Sequence, residues 1–160
     1  MRVLPAALLA AALLPLATLA CGGGGGGGSS SGGNTGGGGG AILHPSWSRD
    51  VLPALQASCG SAGNAGCHGT TTAQGRIVYY FTEGRTAQSI YDSLINKPSS
   101  APGWVYIKPG TPSQSWIYEK VTSTNPGGGG FGSPMPLAGT FGASNIETLR
   151  NWIQDGALNN

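Results

Sequence analysis

Cys59-Gly60-Ser61-Ala62-Gly63-Asn64-Ala65-Gly66-Cys67-His68-Gly69 decides how the rest of the chain is read. Seven residues separate two thiols, and an imidazole follows the second thiol directly. Cys-His at the end of a cysteine pair suits covalent haem attachment. The thiols bond to the porphyrin vinyls and the adjacent imidazole ligates iron. The usual gap between the cysteines is two residues. Here the insert holds three glycines, two alanines, a serine and an asparagine. It can loop out with little backbone strain, and it must do so for both sulfurs to meet one ring.

Upstream, Ser46-Trp47-Ser48-Arg49-Asp50-Val51-Leu52-Pro53-Ala54-Leu55 leads into Cys59. Asp50 as N-cap places Pro53 in the first turn, where its missing N–H has no helical partner. Val51, Leu55 and Cys59 then share one face at four-residue spacing, so the helix delivers Cys59 beside its apolar stripe.

Residues 1–20 read as a targeting segment: Arg2 supplies the positive start and an Ala/Leu/Pro run follows, too short and Pro-broken to span a bilayer. Leu16-Ala17-Thr18-Leu19-Ala20-Cys21 resembles the lipobox of bacterial lipoproteins, with Thr18 where Leu is more usual. That resemblance implies cleavage before Cys21, lipidation of its thiol, and an anchor in the cell envelope. Gly22 after the cysteine makes the outer membrane the default. Residues 21–40 carry 14 glycines and have nothing to bury, so they form a flexible tether rather than a folded element. Its coil length is about 5–6 Å times the square root of the residue number.

Residues 41–160 remain as one domain, enough for a single modest core. Without the leader the chain has seven basic and six acidic residues, evenly scattered. That balance excludes a nucleic-acid surface or a polybasic membrane patch. With Cys21 lipidated, Cys59 and Cys67 are a pair in an oxidising compartment. They are bonded to haem or to each other, the latter giving a haem-free, disulfide-stapled binding or structural module. A copper site is a further possibility and would require His44 as a second histidine.

Arg76 to Thr82 is β-branched and aromatic, hence extended. Ala87 to Asn96 is helical after Thr86, with Ile90, Tyr91, Leu94 and Ile95 apolar. Trp104 to Ile107 is extended and closed by Lys108-Pro109-Gly110. Thr111 and Gln114 form a capping box with Pro112 at the first helical position, and Trp116, Ile117, Tyr118 and Val121 supply that helix's buried side. Ser144 and Glu147 form a second box. The last helix, with Ile146, Leu149, Trp152 and Ile153 apolar, stops at Gly156 and packs on the first helix. Between these helices, residues 122–143 have no regular period. Pro134 and Pro136 stiffen the chain around Met135, the single methionine after the leader. A thioether fixed in a loop can ligate iron.

From Ser46 to Ala157 the chain resembles the haem c domain of small bacterial lipoprotein and periplasmic cytochromes. The segments that carry the resemblance are Ser48-Arg49-Asp50-Val51-Leu52-Pro53, Cys67-His68-Gly69, Ile107-Lys108-Pro109-Gly110 with Ser115, Pro134-Met135-Pro136, and Asn151-Trp152-Ile153-Gln154-Asp155-Gly156-Ala157. The resemblance implies a mainly α, cytochrome c-like fold. It implies one covalent haem c held through Cys59 and Cys67, with His68 as proximal ligand and Met135 as distal ligand. It also implies a non-enzymatic electron carrier with transient redox-protein partners. Trp104, Tyr106, Trp116 and Phe131 are candidates for the pocket wall.

Overall fold

A computed structural model describes residues 40–60, 68, 85–137 and 139–160. Over these residues the domain is helical, with three isolated β-bridges and no strand. The leader, the tether, Cys21, Cys67 and the extended run predicted at Arg76 to Thr82 lie outside the described residues. No helix among the described residues is long and apolar enough to cross a membrane.

The first helix begins earlier than its sequence suggests. A π-turn, Trp47–Val51, runs into α1, Leu52–Cys59. The N-cap is the extended Ser46 rather than Asp50. Asp50 instead reaches back from inside the turn, its carboxylate accepting the Ser46 N–H at 2.8 Å, as the acidic member of a capping box does. Val51 N–H bonds to Ser46 O, and Leu52 N–H to Trp47 O, five residues back in each case. This wider turn precedes Pro53, which has no N–H to lose and whose ring crowds a regular preceding turn.

Helix α2, Ala87–Leu94, is capped as predicted at Thr86. The Thr86 hydroxyl accepts from Ser89 N–H and the Ser89 hydroxyl accepts from Thr86 N–H. Serine thus does the work usually given to Glu or Gln. Ile90 and Leu94 are fully buried. Beyond α2 the chain doubles back: Asn96 N–H bonds to Ile107 O and Tyr106 N–H to Lys97 O, both at 2.9 Å. The predicted extended run at Trp104 to Ile107 is this return limb, bridged at Val105 to Pro98 and Ser115.

Neither capping box predicted for the later helices forms. Pro112–Gln114 is only a 3₁₀ turn, and Thr111 makes no side-chain cap. Helix α3, Trp116–Thr122, starts after an extended Ser115. Ser115 is completely buried. Its hydroxyl accepts Lys108 N–H at 2.9 Å and donates to Thr111 O at 3.0 Å. Those two bonds hold the Lys108-Pro109-Gly110 turn and keep residue 115 out of the helix. Helix α4, Ala143–Gln154, starts after Gly142 at φ +71, so Ser144 falls inside its first turn. Its far end is as predicted. Gly156 N–H bonds to Ile153 O and Ala157 N–H to Trp152 O, the paired bonds of a Schellman cap, with Gly156 at φ +99.

Helix α4 meets the first helix mainly at the π-turn, rather than along Val51 to Cys59. Trp47 and Trp152 stack there with ring centroids 5.1 Å apart, and Tyr91 stands edge-on to both. Each polar end of this aromatic cluster has an acceptor: Trp47 Nε1–H donates to Ala87 O, Trp152 Nε1–H to Leu158 O, and Tyr91 O–H to Ala157 O. Burying the rings therefore leaves no ring N–H or phenol O–H orphaned. Ala157 is held at φ +52 by the same cap.

A Cβ added at Gly156 would meet only Leu158, at 3.9 Å, so the cost of Gly156→Ala is conformational. It is expected to destabilise the domain by about 1–2 kcal/mol in denaturant unfolding, with no change in slope. An unchanged midpoint would contradict the cap.

Candidate functional site

Helix α1 ends by presenting Cys59, which packs half-buried against the core. His68 returns to that helix end: its N–H donates to Cys59 O at 2.9 Å. This bond sets the backbone of His68 beside that of Cys59 at the end of α1, while Cys67 lies outside the described residues.

His68 is buried, and its Nδ1 is out of solvent contact. Burial, and after it the nearby Lys120 ammonium, hold the imidazole below its ordinary range. At neutral pH the ring is uncharged, the form that offers a nitrogen lone pair to a metal. Burial pushes the Cys59 thiol up to about 12. A thiolate is disfavoured there, and these surroundings suit an uncharged thiol or a thioether.

Met135 is half-buried on the long loop after α3. Its N–H donates to Lys120 O at 2.7 Å. The Lys120 side chain turns onto the same loop, donating to Ser133 O at 2.7 Å and Phe131 O at 3.1 Å. The ammonium also lies 5.1 Å from the centre of the Trp116 ring, a cation–π distance. Lys120 is thus common to both predicted iron ligands: hydrogen bonds tie it to the Met135 loop, and its charge acts on His68. Sequence reading missed Lys120. The available signal was its position one turn after Trp116.

The proposed wall residues divide. Trp104 and Trp116 pack at 5.3 Å. Phe131 is partly exposed, and it shares Gly127 with Trp116. A Cβ on Gly127 would lie 3.1 Å from Phe131 and 3.2 Å from Trp116. Tyr106 is buried in the core itself. His44 is a surface residue, as expected, and pairs with Asp155 at 3.1 Å. A cavity of about 320 Å³ beside it is lined by His44, Pro45, Trp152, Asp155, Leu158 and Asn160, and by none of the predicted site residues.

Comparison with protein-family models, with curated proteins and with solved structures finds no match. Among the described residues, no three His, Cys, Asp or Glu side chains gather in a way that would hold a bare metal ion. A prosthetic group that brings its own metal needs fewer protein ligands, and His68 with Met135 would suffice.

The Cys59 environment makes a direct prediction. In Cys67→Ser protein prepared without cofactor, alkylation of Cys59 at pH 8 is expected to be roughly a thousandfold slower in the native state than after unfolding. The native rate should climb only as pH rises far above the ordinary thiol range. Equal rates would show that Cys59 is not buried as described.

Proposed function

We propose that the protein is a lipid-anchored c-type cytochrome that carries single electrons. The observation that bears most on this reading is the return of a buried, neutral His68 to the end of α1 beside Cys59. Haem supplies a one-electron ferric–ferrous couple when bound. Cys59 and Cys67 would hold its two vinyl edges as thioethers, and His68 would be the proximal ligand. Met135, stiffened by its flanking prolines, would be the distal ligand. With His68 and Met135 both given to the iron, no open position would be left for a substrate, so the reading is of an electron carrier rather than an enzyme.

The chain's own residues act on charge and water. Burial and Lys120 keep His68 unprotonated, so no proton competes for its ligating nitrogen near neutral pH. The Lys120 charge, which acts on His68, would disfavour ferric iron and raise the potential of a bound haem. Trp104 and Trp116, which pack together, would supply apolar wall.

The segments behind the family resemblance also support one another in space. Gly110 N–H bonds to Ile153 O at 2.7 Å, Ser115 pins the Lys108 turn, and Trp152 stacks on Trp47. On this reading the mature chain begins at a lipidated Cys21 in the cell envelope. Residues 21–40 let the domain range over the membrane surface and meet redox proteins through a small, transient contact.

Met135→Ala tests the assignment. In protein matured with haem c, the variant is expected to lose the thioether-to-ferric charge-transfer band, bind carbon monoxide when ferrous, and shift its potential downward. A spectrum and potential identical to wild type would remove Met135 from the centre. His68→Ala is expected to abolish stable low-spin haem altogether.

A further inference from the structure

The long loop between α3 and α4 has prolines and glycines through most of its length and, among its described residues, no regular element beyond the 3₁₀ turn Pro126–Gly128. Such a segment cannot fix a side chain by itself. Its Met135 portion is nevertheless tied down, and three of its hydrogen bonds end on one residue. Phe131 O and Ser133 O accept from Lys120 Nζ, and Met135 N–H donates to Lys120 O. The ammonium itself lies over Trp116, which is buried in the core. It is therefore held between an aromatic face and two loop carbonyls.

We propose that Lys120 is the positioning residue of the candidate centre: its ammonium latches the Met135 loop to α3 and thereby decides whether the Met135 sulfur reaches the iron. This rests on the cytochrome reading for the role in ligation, while the latch itself is a property of the protein alone. Position 120 requires both donors and charge. An apolar side chain there would cover Trp116 and leave the Phe131 and Ser133 carbonyls to water. The amide of Met135 would then be held only by the α3 backbone.

Native-state hydrogen exchange of the wild type, Lys120→Leu and Lys120→Arg tests the latch. Lys120→Leu is expected to speed exchange at Met135 by about tenfold or more while α4 amides stay as in wild type. Lys120→Arg, with charge and donors kept, is expected to restore protection. In haem-loaded protein, Lys120→Leu should bind carbon monoxide when ferrous and lose the thioether-to-ferric band, while Lys120→Arg should retain both wild-type properties. Unchanged exchange at Met135 in Lys120→Leu overturns the proposal. So does an equal loss of protection in α4, which would mark general destabilisation. Wild-type protein that takes up no haem overturns the cytochrome reading, and the role in ligation with it; the exchange data then show separately whether the latch exists.

Discussion

The Trp47–Trp152 stack is the contact on which the remaining geometry depends. It joins the first turn of the domain to the last helix, across more than a hundred residues of sequence. Both indoles are essentially without solvent exposure, and both ring N–H groups are satisfied by backbone carbonyls. Two large apolar side chains therefore bury fully at no polar cost, which is where a small core gains most. Ser46 and Ser48 reinforce the joint through Asn160, whose backbone oxygen accepts both hydroxyls. With the π-turn fixed on α4, the axis of α1 is fixed, and so is the place where Cys59 emerges. The His68 N–H, donating to Cys59 O, sets that residue's backbone beside it.

The other half of the candidate centre is built differently. The position of Met135 depends on polar ties to α3, above all those of Lys120, and on the close seat of Phe131 and Trp116 over Gly127. The two predicted ligands are thus held by different means, His68 by a backbone bond to the end of α1 and Met135 by ties to Lys120.

Much of this was legible in the sequence where local rules suffice. The Thr86 cap, the apolar stripe of α4 and the Gly156 stop depend on neighbours within a few residues, and they stand as read. The readings that fail are those a distant partner overrides. Thr111 and Gln114 have the pattern of a capping box, but Ser115 is drawn into the Lys108 turn and the helix cannot start until Trp116. Asp50 looks like an N-cap, yet Trp47 must reach Trp152, so the helix begins earlier and Asp50 serves it from within. Lys120 left no mark beyond its spacing from Trp116, because its bonds go to a loop with no periodicity. Cys59, His68 and Met135 were singled out because chemistry, not packing, makes them unusual in this sequence.

The central claim is that this helical scaffold carries a covalent haem. Its most direct test is the intact mass of the mature protein, produced in a host with haem c maturation and extracted with acidified acetone. The account predicts a mass greater than that of the polypeptide and its lipid by one haem, retained through extraction and lost only when both Cys59 and Cys67 are replaced by Ser. A mass short of haem, and lower by two hydrogens, would instead mean a Cys59–Cys67 disulfide and would contradict the account.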